Sequence, residues 1–212
     1  PDSVIGGRLI YLVRERLGRE LARGAPADVD LVMGIPDSGT PSGEGFAREL
    51  VLPYREGLIK NRYVARTFIE PTQEMRERGV RIKMNPMPYL LEGKRVVITD
   101  DTMIRGTTTP IVAEIVRKAG AKEIHIRITS PPYIDEHGLG IDTPNRAELI
   151  ANKMSVRDMI KQWRLDSLHY LSLDRMVEAI GVPAENLYLR PFNGEKISYQ
   201  VDRIKQLTYA LS

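Results

Sequence analysis

Apolar residues recur along the chain with two different spacings. Near the N-terminus they return every fourth residue among arginines and glutamates, at Leu9, Val13, Leu17 and Leu21. This spacing predicts an amphipathic helix that ends near Gly24. Three later runs are short and almost wholly apolar, as strands are when a parallel sheet buries both of their faces. These predicted interior strands are Leu31–Ile35, Val96–Thr99 and Ile124–Ile128.

Helical patterns follow two of these strands. A Gly/Ser turn at 37–39 runs into the first, "TPSGEGFAREL", and the second is "TTTPIVAEIVRKAGA". Further helices are predicted at Ser155–Gln162 and Leu173–Ile180. Strands that alternate with helices are joined by right-handed crossovers, which makes their sheet parallel. The predicted fold class is therefore α/β, with a mostly parallel sheet flanked by helices.

The pattern is irregular between the first two strands. Residues 52–68 start like a strand and then become basic. Glu70–Pro88 is polar and charged and contains three prolines, so we expect a long exposed excursion there. The last thirty residues carry the weakest pattern of the whole chain.

Composition narrows the classes of function. The chain has 212 residues, of which 42% are apolar and 28% charged, and it has no cysteine. The absence of cysteine excludes disulfides, thiolate metal ligands and thiol nucleophiles. A net charge of +3 is too small to indicate a nucleic-acid partner, although a pI near 9.1 suits an anionic ligand. No apolar run is long enough to cross a membrane and no signal peptide is recognisable, so we expect a cytoplasmic protein without a membrane partner.

Two adjacent acids and a hydroxyl-rich segment end the second predicted strand, in "VVITDDTMIRGTTT". Asp100 and Asp101 come at the carboxyl end of that strand, where open α/β sheets bind ligands. Each carboxylate can accept a hydrogen bond from one hydroxyl of a ribose. The amides of 102–108 and the following helix N-terminus suit a phosphate, and Gly106 permits a close backbone approach or a positive φ. A surface turn before a capped helix is the alternative interpretation of the two acids alone.

With its strand before and "RGTTT" after, this stretch resembles the 5-phosphoribosyl-1-pyrophosphate (PRPP) motif of type I phosphoribosyltransferases. Other blocks, such as "LIKNRYVARTF" and "GIDTPNRAELIA", are similar to the C-terminal domain of glutamine amidophosphoribosyltransferases. The resemblance runs from Pro1 to about Gly181. It implies a type I phosphoribosyltransferase domain over 1–181 and a C-terminal tail, 182–212, that packs on it as a helical extension.

The resemblance also implies an activity and the residues that carry it. The activity is formation of 5-phosphoribosylamine and pyrophosphate from PRPP and ammonia, the first step of de novo purine synthesis, by a glycosyltransferase of the pentosyltransferase class. Mg²⁺ is the implied cofactor, with Ser38, Asp100 and Asp101 as its protein ligands. The implied catalytic residues are Lys60, Arg66, Asp100 and Asp101. The implied PRPP-binding residues are Asp37, Ser38, Gly39, Lys60, Tyr63, Arg66, Lys83, Asp100, Asp101, Thr102, Met103, Ile104, Arg105, Gly106, Thr107 and Thr108.

Two further segments could bind or neutralise the pyrophosphate leaving group. "GIPDSGTP" is a second Gly/Ser anion turn and looks like the family's pyrophosphate loop, although a structural turn is the alternative. "KNRYVAR" carries Lys60, Arg62 and Arg66, which could form a solvated basic face or a closing lid that neutralises the leaving group away from water. The family uses this segment as its closing loop, and it commonly has glycine where Ala65 stands here.

The sequence departs from the family in two respects. The family's glutaminase domain, with its N-terminal cysteine nucleophile, has no counterpart in these residues. We therefore expect ammonia to be the nitrogen donor, supplied by a separate glutaminase or by another source. Many members bind an iron–sulfur cluster through cysteines, whereas Tyr188 and Pro191 stand in the corresponding C-terminal motif, so no iron–sulfur cluster is expected. We also expect a homo-oligomer.

Two other functions share part of this evidence. A nucleobase phosphoribosyltransferase has the same PRPP motif, but it also needs a hood segment that stacks on a base. A module that senses PRPP or a nucleotide without catalysis is the second alternative. The intact acidic pair, Ser38 and the basic segment favour catalysis over sensing.

Overall fold

The computed structural model of the protein describes residues 2–61, 79–136 and 145–194. In these residues the strands are β1 (Val4–Ile5), β2 (Arg8–Leu9), β3 (Leu31–Gly34), β4 (Leu58–Lys60), β5 (Met84–Pro86), β6 (Arg95–Asp100), β7 (Glu123–Ile128) and β8 (Ser167–Tyr170). The helices are α1 (Ile10–Gly24), α2 (Thr40–Glu49), α3 (Pro88–Leu91), α4 (Thr108–Lys118), α5 (Ile150–Lys153), α6 (Val156–Trp163), α7 (Leu173–Ile180) and α8 (Arg190–Asn193). Short 3₁₀ turns occur at Arg146–Glu148 and Ala184–Asn186, and residues 79–83 are helical.

Four strands form a parallel sheet in the order β3-β6-β7-β8. The α/β class and the predicted parallel sheet are therefore confirmed. The fourth strand, β8, was not predicted, because Ser167 and His169 interrupt its short apolar pattern. The interior position predicted for β3 is wrong in the described residues, since β3 lies at one edge of the sheet. A single parallel bridge between Val32 and Tyr54 covers that edge.

The sheet separates two hydrophobic cores, because successive strand residues point to opposite faces. Leu31 and Met33 of β3 pack in one core with residues of α4 and α6. Val32 packs in the other core with residues of α1, α2 and α7. The helices thus flank the sheet on both sides, as their amphipathic patterns predicted.

Two of the predicted helices begin at a serine that caps them. The Ser155 side chain accepts a hydrogen bond from the Asp158 amide at the start of α6, at 3.2 Å. The Ser172 side chain does the same for the Arg175 amide at the start of α7, at 3.4 Å. Gly181 ends α7 with a φ of 70°, a left-handed conformation that glycine adopts without strain.

The excursion predicted at Glu70–Pro88 is more regular than expected in its described part. Residues 84–86 form β5, which pairs antiparallel with β4, and residues 79–83 are helical. The pattern failed here because a two-stranded ribbon at the surface needs few apolar residues. Residues 70–78 lie outside the described part of the chain.

The described part of the C-terminal tail contacts the segment after β7. The Ile134 amide donates to the Pro191 carbonyl oxygen at 2.8 Å, and Arg190 pairs with Asp135 at 3.2 Å. The rings of Tyr133 and Phe192 meet edge to face, with centroids 5.6 Å apart. Residues 195–212 lie outside the described residues, so the tail boundary at 182 stays a prediction.

Among the described residues, every helix is too short or too polar to span a membrane.

Candidate active site

The acidic pair lies at the carboxyl edge of the sheet. Asp100 is the last residue of β6 and is only 7% exposed. Its Oδ1 accepts a hydrogen bond from the Asp101 amide at 2.9 Å. Burial raises the pKa of the Asp100 carboxyl, and the neighbouring charge of Asp101 raises it further. A cation bound beside Asp100 would oppose both effects.

Residues 36–39 connect β3 to α2 and lie directly on β6, and we call them the β3 loop. The Thr99 hydroxyl donates to the Gly39 carbonyl oxygen at 2.9 Å, and the Ser42 hydroxyl donates to the same oxygen at 2.9 Å. A Cβ on Gly39 would lie 2.3 Å from the Thr99 carbonyl oxygen, and one on Gly34 would lie 2.4 Å from the Gly39 carbonyl oxygen. Glycine is therefore required at both positions for the loop to approach the strand so closely.

This approach brings the loop to the acidic pair. The Ser38 hydroxyl lies 3.5 Å from Asp100 Oδ1. The side chain of Asp37 is exposed and pairs with Lys60 Nζ at 2.6 Å. The structure thus brings together the Gly/Ser turn and the acidic pair that were singled out from the sequence. They lie close because β3 and β6 are adjacent parallel strands.

Residues 102–107 form a second loop, the β6 loop, between the acidic pair and α4. Gly106 has a φ of 70°, so the positive φ that the sequence analysis allowed for it is present. A Cβ on Gly106 would lie 2.8 Å from the Ile150 side chain. The Ile150 amide donates to the Ile104 carbonyl oxygen at 2.8 Å, which holds the loop from the outside. The first amides of α4 have no partner inside the helix, so this end of the helix suits an anion.

A cleft of about 350 Å³ opens beside the β6 loop. This volume is within the range of small-molecule sites. It is lined by Val80, Asp100, Thr102, Met103, Ile104, Arg105, Gly106, Thr107, Thr108 and Thr109. The predicted phosphate segment therefore lines a single cavity together with the buried acid.

The basic residues predicted to bind PRPP lie on different elements around the site. Lys60 ends β4 and reaches the β3 loop through Asp37. Lys83 directly precedes β5, and its carbonyl oxygen accepts from the Asn61 amide at 2.8 Å, so the two lysines lie on the same ribbon. Arg105 pairs with Glu148 at 3.1 Å. Arg62, Tyr63 and Arg66 lie outside the described residues.

One cation at the site was not singled out from the sequence. Arg14 of α1 has one guanidinium nitrogen 3.6 Å from Asp101 Oδ2 and donates from another to the Ser38 carbonyl oxygen at 3.4 Å. In the sequence Arg14 is one of several arginines on the polar face of a helix. Its position depends on how α1 packs on α2, which no local pattern reveals.

The oxygen donors at this edge fit a hard divalent cation. Asp100, Asp101 and Ser38 offer carboxylate and hydroxyl oxygens. Mg²⁺ takes such oxygens in small number and completes its shell with water and substrate phosphates. In the part of the chain that the structure covers, no cluster of three His, Cys, Asp or Glu side chains is placed to hold a metal by itself.

Residues 8–130 match the family described as the phosphoribosyl transferase domain. The amidophosphoribosyltransferase of Synechococcus elongatus is 50% identical over 194 residues, which are 92% of this chain and 39% of that protein. The amidophosphoribosyltransferase of Methanocaldococcus jannaschii is 50% identical over 181 residues, 85% of this chain and 38% of that protein.

A similar solved structure is the glutamine PRPP amidotransferase from B. subtilis complexed with ADP and GMP. It is 41% identical, has a TM-score of 0.81, and is matched over 92% of this chain and 44% of that chain. The chain therefore spans about two-fifths of the length of the relatives it matches.

Proposed function

Since the chain belongs to the phosphoribosyl transferase domain family, we propose that it transfers the phosphoribosyl group of PRPP to ammonia, giving 5-phosphoribosylamine and pyrophosphate. The observation that carries the proposal is the 3.5 Å approach of the Ser38 hydroxyl to Asp100 Oδ1. It joins an anion-binding loop to a pair of acids beside a cleft of suitable size for a sugar phosphate. The choice of ammonia as acceptor is supported by relatives that share half of their aligned residues with this chain and are named amidophosphoribosyltransferases.

Each part of PRPP has a matching set of side chains in this proposal. The β6 loop and the first turn of α4 bind the 5-phosphate. Asp100 and Asp101 accept hydrogen bonds from the ribose hydroxyls. The β3 loop and Lys60 bind the pyrophosphate. Tyr63, Arg66 and Lys83, which the family resemblance assigns to PRPP, stay predictions.

The proposed reaction is a displacement at C1 of the ribose. The bond from C1 to the pyrophosphate oxygen breaks, and its electron pair leaves with pyrophosphate. The lone pair of ammonia forms the new C1–N bond, and the nitrogen then releases one proton to solvent or to the leaving group. Positive charge develops on the ribose near the two carboxylates, and negative charge develops on the pyrophosphate near Lys60. Both charges are stabilised by groups that the fold holds in position before reaction.

Mg²⁺ is part of the proposal as a cofactor, held by Ser38, Asp100 and Asp101 together with PRPP. When bound, it would neutralise charge on the pyrophosphate and so favour its departure. The buried environment of Asp100 supports a cation there, because an uncompensated carboxylate is costly at that position. The protein's own contribution is to fix the spacing of these oxygens across the two loops.

The experiment is to incubate the chain with PRPP and Mg²⁺ and to add ammonia, glutamine or a panel of nucleobases in separate reactions. Release of pyrophosphate is measured, together with trapping of phosphoribosylamine. We expect release that depends on ammonia. Release that depends on a base would instead support a nucleobase phosphoribosyltransferase. Tight PRPP binding without release under any condition would support a sensing module.

A further inference from the structure

Arg14 connects the two loops of the proposed site. Its guanidinium donates to the Ser38 carbonyl oxygen at 3.4 Å and lies 3.6 Å from Asp101 Oδ2. Its side chain is 27% exposed, so it is partly enclosed between α1 and these loops. A planar guanidinium can satisfy two such acceptors at once, which a lysine ammonium does less well.

The fold fixes the location of Arg14. A Cβ on Gly18 would lie 1.9 Å from the Ser42 carbonyl oxygen, and one on Gly45 would lie 2.0 Å from the Glu15 carbonyl oxygen. The two glycines therefore let α1 and α2 pack with their backbones in contact. Arg14 lies one helical turn before Gly18, and Ser38 lies the same number of residues before Ser42, so this packing brings Arg14 to the loop that begins α2.

The two oxygens of the Asp101 carboxylate face different partners. Asp101 Oδ1 accepts from the Thr102 amide at 2.8 Å, which leaves Oδ2 directed to Arg14. Asp100 is buried beside it, and two adjacent carboxylates repel each other. In the described residues, Arg14 is the cation that pairs with Asp101. It therefore offsets part of the repulsion and holds the carboxylate in one orientation.

We infer that Arg14 is a positioning residue for phosphoribosyl transfer, an inference that rests on the proposed function. It orients the Asp101 carboxylate and ties it to the β3 loop, so that the acids and the pyrophosphate-binding loop keep one spacing. This role differs from that of a structural ion pair. A partly exposed pair contributes little to stability, whereas a small displacement of a group that orients substrate lowers the rate strongly.

The first test compares Arg14→Gln and Arg14→Lys with a control on the same helix, Arg16→Gln. Arg16 donates to the Ala179 carbonyl oxygen at 2.9 Å and so joins α1 to α7 instead of reaching the cleft. The measurements are kcat and KM for PRPP in ammonia-dependent pyrophosphate release, and the thermal unfolding midpoint. Arg14→Gln should lower kcat about tenfold with little change in the midpoint. Arg14→Lys should recover part of the loss, and Arg16→Gln should keep the wild-type kcat.

The second test is a double-mutant cycle with Asp101→Asn. If Arg14 acts through Asp101, Arg14→Gln should lower kcat by only about twofold when Asp101 is already Asn. A tenfold loss in both backgrounds would overturn the inference, because Arg14 would then act independently of Asp101. Wild-type kcat in Arg14→Gln would overturn it as well.

These outcomes are distinct from failure of the proposed function. A wild-type chain that binds PRPP·Mg²⁺ in calorimetry and releases pyrophosphate with ammonia supports the function, whatever Arg14 does. A wild-type chain that shows neither property overturns the function and the role of Arg14 together.

Discussion

The hydroxyl of Ser38 lies 3.5 Å from the carboxylate of Asp100, although the two residues are 62 positions apart in the chain. The contact exists because β3 and β6 are parallel neighbours, with Gly34 opposite Thr99. Both loops therefore leave the same edge of the sheet. In open α/β sheets this edge is where ligands bind, and here it combines two acids with the two loops that we propose bind the phosphate groups.

The acidic pair gives the first prediction. Asp100→Asn and Asp101→Asn each remove one charge with little change in size. Loss of a charged hydrogen-bond partner should cost on the order of 1.5 to 3 kcal/mol in the transition state, or roughly tenfold to a hundredfold in rate. Ammonia-dependent pyrophosphate release measures the loss. Asp174→Asn is a suitable control, because Asp174 is exposed in the first turn of α7, away from the cleft. Wild-type rates in both acidic variants would mean that the pair is only a turn.

The β3 loop gives the second prediction. Gly39→Ala introduces a Cβ at 2.3 Å from the Thr99 carbonyl oxygen, so the loop must move away from β6. We expect a loss of stability of about 1 to 3 kcal/mol and weaker PRPP binding, measured by chemical denaturation and calorimetry. Gly79→Ala is the matched control, since no other described residue lies within 4 Å of a Cβ there. If Gly39→Ala binds PRPP as tightly as the wild type, the loop position does not matter for the ligand.

The sequence was sufficient for those features that depend on local pattern. β6 contains the apolar run Val96–Ile98 and ends at Asp100, so both the strand and its acid could be predicted. β8 could not, because a four-residue strand with two polar positions has no pattern of its own and forms only by pairing with β7. Arg14 could not be predicted either, because its place in the site depends on backbone contact between α1 and α2 at Gly18 and Gly45.

Asp135 gives a third prediction, on the dependence of stability on pH. The Glu136 amide and then Arg190 and Arg146 hold the pKa of the Asp135 carboxyl below its usual value. A carboxyl with a lowered folded-state pKa stabilises the protein above the unfolded-state pKa, about 3.9, and loses that contribution as the pH falls through the folded-state value. Asp135→Asn should therefore lower the free energy of unfolding by about 1 to 3 kcal/mol at neutral pH and by less in acid.

Urea denaturation at a series of pH values from 7 to below 3.9 tests this prediction. The difference between wild type and Asp135→Asn should shrink steadily across the acid end of the series. Asp174→Asn again serves as the control, because its carboxylate is exposed. A difference that stays constant with pH would mean that Asp135 contributes through packing and neutral hydrogen bonds instead of charge.

The nitrogen donor gives the last prediction. The chain contains no cysteine, so it has no thiol with which to hydrolyse glutamine. At a fixed total concentration of ammonium salt, pyrophosphate release should rise as the pH is raised, because only free NH₃ has the lone pair that attacks C1. Glutamine should not replace ammonia at any pH. A parallel series with fixed free NH₃ is the control, since it separates the supply of nucleophile from titration of the protein. Turnover with pure glutamine and no added protein would contradict the prediction, because it would require a glutaminase centre without a thiol.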